Sequence, residues 1–83
     1  MEIRYTLHAQ EQMKERNIEP AWIEEAARFP HTIVSKKYKF YVTKKLNGKT
    51  IKVVFIKEKY IKIITSYFIK WKYATTQKLM HYI

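Results

Sequence analysis

Apolar and polar positions follow a helical period in the first part of the chain. Residues 2–5 predict a short strand, and Thr6 is placed to cap a helix over residues 7–16, because a threonine hydroxyl accepts hydrogen bonds from the first free amide groups of a helix. The predicted inward positions of this first helix are Leu7, Ala9 and Met13.

A second helix is expected after a short turn at residues 17–19. Pro20 suits its first turn, where no backbone N–H is needed, and Pro30 ends it because proline cannot continue a helix. Charged and apolar positions separate onto two sides of this segment. The predicted inward side consists of Trp22, Ile23, Ala26 and Ala27.

After Pro30 the period changes from helical to alternating, which is typical of strands. Asn47-Gly48 is the dipeptide that a two-residue type I′ hairpin turn prefers, because both positions need a positive φ. Such a turn makes residue 44 face 51, 42 face 53 and 40 face 55. The inward side of the hairpin then consists of Phe40, Val42, Ile51, Val53 and Phe55.

The outward side of this hairpin is rich in lysine. A further strand over residues 60–70 is expected to return through a three-residue turn at 57–59, which aligns its odd positions, from Ile61 to Ile69, with the core. Tyr60, Lys62 and Phe68 are then predicted to face outward. The hairpin adds Lys37, Lys39, Tyr41, Thr43, Lys45 and Lys52 to that side, with Val54 and Ile56 among them.

These elements predict an α+β fold, with residues 1–83 as a single domain. An N-terminal strand and two helices should pack on one face of a mainly antiparallel sheet of three to four strands, because the apolar side of the helices needs partners. Residues 71–83 form a tail with three open alternatives: a short helix from Thr75 or Thr76, a frayed end, or a segment ordered only in a homodimer.

Charge is distributed unevenly along the chain, whose formal net charge is +10. Residues 1–31 hold four Lys/Arg against six Glu, a net of −2, whereas residues 32–83 hold thirteen against one, a net of +12. Such asymmetry favours a surface that meets a polyanion. The alternative is a lysine-rich surface that only solvates the fold.

Composition argues against several kinds of site. The chain has no cysteine and its three histidines are not at zinc-ligand spacing, so neither a metal nor any other cofactor is expected. No apolar run reaches the roughly 20 residues of a membrane span. The opening MEIRYTLH lacks the apolar core of a signal peptide. We therefore expect a soluble, cytoplasmic protein that binds no membrane.

His8, Gln12 and Arg16 follow one another at four-residue steps and so share one side of the first helix. One hypothesis is a functional site, with His8 as a neutral base at a helix N-terminus and Arg16 as a phosphate ligand. The other is structural: His8 fixes the strand-to-helix corner, and Arg16 pairs with a glutamate of the second helix. Spacing alone does not decide between them.

Residues 5–69 resemble a family of small uncharacterised bacterial and archaeal domains. The resemblance rests on a His-Ala pair, a Met, an Arg, a short turn, a second helix and a Pro before the sheet, and on an Ile-Thr-x-Tyr pattern in the last strand. Where the family usually has Gly after the first helix, this chain has Asn17, which tolerates left-handed geometry. The matching positions are His8-Ala9, Met13, Arg16, Asn17-Ile18-Glu19, Glu25-Ala26, Pro30 and Ile64-Thr65-Ser66-Tyr67.

That family is grouped with the RelE/ParE-like plasmid-toxin superfamily, so the resemblance implies a RelE-like fold and a toxin-type activity. Many members are metal-independent ribonucleases neutralised by an antitoxin, whereas others poison gyrase or are inactive. Metal-free RNA cleavage needs a base, an acid and cations that stabilise the phosphorane-like charge. For this chain the implied catalytic residues are His8, Arg16, Thr65 and Tyr67.

The lysine-rich side predicts contact with RNA, at the ribosome or elsewhere. Lysines would hold phosphates as point charges, and aromatic rings would stack on unpaired bases. An acidic antitoxin protein is the second expected partner, because it would have to cover a basic surface. A non-catalytic nucleic-acid- or protein-binding module of the same fold is the alternative. The predicted RNA-binding residues are Lys37, Lys39, Tyr41, Lys45, Lys52 and Lys62.

Overall fold

Two helices and five strands follow one another in residues 1–69, the part of the chain that the structure, a computed structural model, describes. The alternatives for residues 71–83, including the short helix and the homodimer contact, lie outside the described residues. The elements are β1 (Ile3–Tyr5), α1 (Leu7–Arg16), α2 (Pro20–Arg28), β2 (Thr32–Lys36), β3 (Lys39–Leu46), β4 (Lys49–Lys57) and β5 (Ile61–Ile69).

The strands form one mixed sheet in the order β1-β5-β4-β3-β2. Only the β1–β5 pair is parallel among the described strands. The predicted α+β class is confirmed, but the sheet has five strands instead of three to four. The additional strand is β2, which turns into β3 through residues 37 and 38. Lys37 holds a φ of 58° there, a conformation that glycine or asparagine usually marks in a sequence.

Helix α1 begins and ends where its capping residues predict, and α2 begins at Pro20 and ends at Arg28, before Pro30. The Thr6 hydroxyl accepts a hydrogen bond from the Ala9 amide at 3.0 Å, and Asn17 ends α1 in the left-handed conformation with a φ of 54°. Leu7 was expected to face inward, and this prediction is wrong, because its side chain is 71% exposed. Residues two positions apart lie on nearly opposite sides of a helix, so Leu7 points outward where Ala9 points inward.

The β3–β4 hairpin has the predicted turn and register. Asn47 and Gly48 both adopt positive φ, 46° and 81°. Across the hairpin, Lys44 pairs with Ile51, Val42 with Val53 and Phe40 with Phe55. The inward side of this hairpin is therefore the one that the Asn-Gly turn predicts.

The core lies between the helices and one face of the sheet. Ile23 and Ala26 of α2 and Ala9 of α1 are fully buried there. Lys44 fastens the end of α2 to the same side of the sheet, because its Nζ lies 2.7 Å from the Phe29 carbonyl oxygen and 3.4 Å from a Glu25 carboxylate oxygen. From the sheet and the turn after α1, the core receives Ile18, Val42, Ile51, Val53, Phe55, Ile61 and Ile63.

Tyr5 joins β1 to α2 on the core side of the molecule. Its hydroxyl donates a hydrogen bond to a Glu24 carboxylate oxygen at 3.2 Å. Burial, followed by the neighbouring Glu24 charge, raises the pKa of Tyr5 to about 12. The phenol therefore remains protonated at neutral pH and keeps this hydrogen bond.

A bulge changes which residues of β5 face the core. Val54 pairs with Thr65 but Phe55 pairs with Ile63, so Ile64 is an additional residue between them. The prediction that all odd positions face inward therefore holds only as far as Ile63. Beyond the bulge, the inward positions are Ser66 and Phe68, and the outward ones are Thr65, Tyr67 and Ile69.

The loop between β4 and β5 has the predicted length of three residues, but it lies one position later, at 58–60, because Lys57 pairs with Ile61. Tyr60 is consequently a loop residue instead of a strand residue. Within residues 1–69, no helix is long and apolar enough to cross a membrane.

Replacing Gly48 by alanine should destabilise the protein by about 1–2 kcal/mol, the typical penalty of a left-handed L-residue. An added Cβ would meet no atom within 4 Å, so the loss would come from backbone strain and not from a clash. Urea unfolding of the Gly48→Ala and Gly48→Asn variants tests this, since asparagine tolerates positive φ and should lose less. Equal stability of the parent and the alanine variant would contradict the turn assignment.

Candidate functional site

The sheet face opposite the helices, called the outer face below, is crossed by rows of side chains from neighbouring strands. The first row follows the register through Lys36, Lys39, Ile56, Lys62 and Arg4. Four of these five positions carry a positive charge, and adjacent strands lie only about 4.8 Å apart. We call this set the basic row.

Three further rows lie above the basic row and mix lysines with aromatic and hydroxyl side chains. Lys52 stands over the ring of Tyr41, with its Nζ 5.8 Å from the ring centroid. Tyr67 pairs with Lys52 on the other side. In order, the rows are Val34–Tyr41–Val54–Thr65, then Thr32–Thr43–Lys52–Tyr67, then Lys45–Thr50–Ile69.

The basic row places like charges side by side. Lys36 pairs directly with Lys39, and Lys62 directly with Arg4. Like charges at paired positions destabilise a sheet. Arg4 is partly neutralised, because its guanidinium lies 3.1 Å from Glu2 and 4.2 Å above the Tyr60 ring, but the Lys36–Lys39 pair has no such carboxylate among the described contacts. Such a pair gains stability from a bound anion.

Arg4 keeps its charge at any physiological pH. The hydrogen bond that Arg4 donates to the Glu2 carboxylate, and then the charge of Glu2, raise the pKa of Arg4 above its ordinary value. Arg4 therefore extends the basic row as a permanent cation, although one that already has a carboxylate beside it.

Carboxylates lie mostly on the opposite side of the molecule. No Asp or Glu occurs between residues 26 and 57, which include β2, β3 and β4. The helices, by contrast, contribute four of the seven acidic residues of the chain, namely Glu11, Glu15, Glu24 and Glu25. The uneven charge of the sequence thus becomes a basic outer face and helices whose net charge is −1.

The polar side of α1 faces the free edge of β5. Beyond the short strand β1, no strand of residues 1–69 pairs with this edge of β5 at Ser66, and two helix side chains bond its backbone instead. Arg16 donates to the Ser66 carbonyl at 2.9 Å, and the Gln12 side-chain oxygen accepts from the Ser66 amide at 3.4 Å and from the Thr65 hydroxyl. The expected ion pair between Arg16 and a glutamate of α2 is therefore wrong.

The four predicted catalytic residues are only partly brought together. Arg16 contacts Ser66, and Thr65 contacts Gln12, so these two lie beside the same stretch of β5. His8 is exposed on α1 about two turns before Arg16, and no contact among residues 1–69 joins it to Arg16, Thr65 or Tyr67. The bulge brings Tyr67 to the outer face, on the row of Lys52.

The predicted RNA-binding residues fall almost entirely on the outer face. Lys37 is the exception, since it lies in the β2–β3 turn next to the basic row. Phe68 was expected on this face too, but its ring lies on the core side, 5.9 Å from that of Trp22. The five residues on the outer face are Lys39, Tyr41, Lys45, Lys52 and Lys62.

Sequence reasoning missed two members of the basic row, Lys36 and Arg4. Lys36 could have been found from the alternation of Thr32, Val34 and Lys36, had β2 been recognised as a strand. His31, for which the sequence suggested no site, accepts a hydrogen bond from the Lys45 amide at 3.1 Å. In residues 1–69, no group of three or more His, Asp or Glu side chains is placed to hold a metal ion.

Comparison with known proteins gives one match. The sequence model of the family described as "Domain of unknown function (DUF4258)" matches residues 5–68, which is most of the chain. No curated protein and no solved structure gives a match.

Truncating Arg16 should weaken the fold, because it leaves the Ser66 carbonyl without its partner. We expect Arg16→Ala to lower the free energy of unfolding by about 1 kcal/mol, the net contribution of one such hydrogen bond. The matched control is Lys14→Ala on the same helix, an exposed lysine with an expected change within about 0.5 kcal/mol. Equal unfolding free energies for the two variants would show that Arg16 does not hold the edge.

Proposed function

We propose that this chain, which belongs to the DUF4258 family of domains of unknown function, binds single-stranded RNA across the outer face of its sheet. The family match supplies no activity, so the proposal rests on the surface of this chain. Phosphates would lie along the lysines of the outer face, and unpaired bases would stack on its tyrosines.

The observation that carries this proposal is the basic row. Folding alone does not favour Lys36 directly beside Lys39, because the two ammonium groups repel each other. A phosphate between them would remove that repulsion and release counterions from the polyanion. The carboxylates that might otherwise neutralise the outer face lie mainly on the helices.

Single-stranded RNA fits the outer face better than a duplex does. Tyr41 and Tyr67 are half-buried on the outer face, which no element of residues 1–69 covers, so unpaired bases can reach their rings. Bases of a duplex are stacked on each other and cannot do so. Hydroxyl groups of Thr43, Thr50 and Thr65 on the same face can hydrogen-bond the 2′-OH that distinguishes RNA from DNA.

Salt dependence and charge reversal test the phosphate contacts. Fluorescence anisotropy of a labelled ten-nucleotide oligouridine should give a slope of log K against log[salt] of about −3.5, if about five phosphates are neutralised. The Lys52→Glu/Lys62→Glu variant should bind at least about tenfold more weakly, with a slope near about −2. The control is Lys14→Glu/Arg28→Glu, which makes the same change of net charge on the two helices. Equal losses in both variants would mean that only net charge matters.

Replacing the tyrosines separates stacking from charge. Tyr41→Leu and Tyr67→Leu each remove a ring while the lysines remain, so we expect about tenfold weaker binding and an unchanged salt slope. The comparison is Tyr38→Leu, since Tyr38 is 63% exposed but lies in the β2–β3 turn. If all three variants bind oligouridine as the parent does, bases do not stack on the outer face.

A second proposal is a metal-independent ribonuclease of the RelE/ParE-like toxin type, which acts in the cytoplasm and is held inactive by an acidic antitoxin. One observation favours it: the bulge puts Thr65 and Tyr67 on the outer face, on the strand that Arg16 contacts. His8 would then have to approach the same phosphate as base or acid.

Incubation of total RNA with the purified protein in EDTA tests this second proposal. Cleavage that His8→Ala and Tyr67→Phe each reduce at least about tenfold, with oligouridine affinity retained, supports it. Arg16→Ala is a poorer probe, because it also weakens the fold. Intact RNA after long incubation, with oligouridine binding as predicted above, would contradict the ribonuclease proposal and support an RNA-binding module without catalytic activity.

A further inference from the structure

The two edges of the sheet differ in whether another element covers them. Where β1 ends, the exposed edge of β5 is covered by α1, whose Arg16 and Gln12 bond the carbonyl and amide of Ser66. At the opposite edge, no element among residues 1–69 pairs with the free side of β2. All five residues of β2, Thr32–Lys36, are exposed.

The free side of β2 presents a regular set of backbone groups. Lys36 and Lys39 close a two-residue hairpin, so their backbones form a hydrogen-bonded pair. Because every second pair of an antiparallel ladder is hydrogen-bonded, Val34 and Tyr41 form the next such pair. The alternation of an antiparallel ladder then directs the N–H and C=O of Ile33 and Ser35 away from β3. These groups are placed as they would be in a strand that has a neighbour on both sides.

The centre of the β2 edge has no residue of the kind that protects an edge strand against pairing. Natural edge strands carry a proline, a bulge or a charge at their centre. The centre of β2 has Ile33 and Val34 instead, which are 56% and 59% exposed. Its register with β3 is continuous over all five pairs.

We propose that the β2 edge binds an extended acidic segment of a partner protein, which adds a sixth strand to the sheet. The segment would form backbone hydrogen bonds with β2 and would also be attracted by the positive charges nearby. Lys36 and Lys39 lie at one end of this edge and Lys37 in the adjoining turn, and residues 26–57 contain no carboxylate that could satisfy them. This proposal is independent of RNA binding.

The two faces of β2 specify the pattern of the partner. Toward the outer face, an added strand meets Val34, Lys36 and the neighbouring Lys39, so its side chains there should be acidic. Toward the helix side, it meets Ile33, which is 56% exposed. Side chains directed to that side should be apolar. The fitting segment therefore alternates acidic and apolar residues.

A second copy of the chain fits this edge less well. Two β2 strands paired with each other would bring lysines from both copies to one sheet, with no acidic residue from either strand between them. Each copy has a formal net charge of +10, which opposes such pairing further. Charge complementarity thus favours an acidic partner.

Amide hydrogen exchange with a peptide probe tests the proposal. A ten-residue peptide of alternating valine and glutamate should slow exchange at Ile33 and Ser35 at least about tenfold, because their outward amides become hydrogen-bonded. The same peptide with lysine in place of glutamate should bind at least about tenfold more weakly. RNA is absent from this assay, so its result does not depend on the outer-face proposal.

Variants of the edge locate the binding. Ile33→Lys places a charge at the helix-side contact and should weaken binding of the valine–glutamate peptide by about tenfold. Ser35→Pro should weaken binding of the same peptide by a similar factor, because it removes an outward N–H. Leu7→Lys is the matched control, since Leu7 is also an exposed apolar residue but lies on α1. Circular dichroism of each variant verifies folding.

Three results would overturn the proposal. The first is the absence of protection at Ile33 and Ser35 with the acidic peptide. The second is equal binding of the acidic and basic peptides, which would mean that charge does not select the segment. The third is protection of the same amides by raised protein concentration alone, which would make a second copy the occupant.

Discussion

The molecule depends on packing its helices against only one face of the sheet. Ile23 and Ala26 of α2, with Ala9 of α1, bury their side chains against the inward positions of β3, β4 and β5. The apolar sides of both helices are buried in this contact. The outer face is left without a covering layer in residues 1–69, so its lysines and tyrosines remain available to a partner.

The bulge in β5 determines which side chains of that strand face the core and which face outward. Without it, Thr65 and Tyr67 would follow Ile63 into the core, where a phenol and a hydroxyl would need buried partners. One additional residue exchanges the two sides, so that Phe68 packs beside Trp22 and Tyr67 joins Lys52 on the outer face. The same change brings the backbone of Ser66 to the edge that Gln12 and Arg16 cover.

Local chemistry predicted much of the fold and less of the site. Thr6, Pro20 and Asn47-Gly48 act within a few residues of themselves, so the helix start, the second helix and the hairpin register followed from them. The bulge and β2 did not, because each depends on pairing with a distant strand and has no residue that marks it. Lys36 was missed for that reason, and Arg4 because its place in the basic row depends on the pairing of β1 with the distant strand β5, whereas the lysines of β3 and β4 were found from alternation alone.

The most direct test of the account is the position of RNA on the protein. Nuclear magnetic resonance spectra of the isotope-labelled chain, titrated with unlabelled oligouridine, would report each residue separately. We expect the largest shifts at Tyr41, Lys52 and Tyr67 on the outer face, and none at Glu11 or Lys14 on α1. Shifts confined to the helices, with the outer face unchanged, would contradict the central claim.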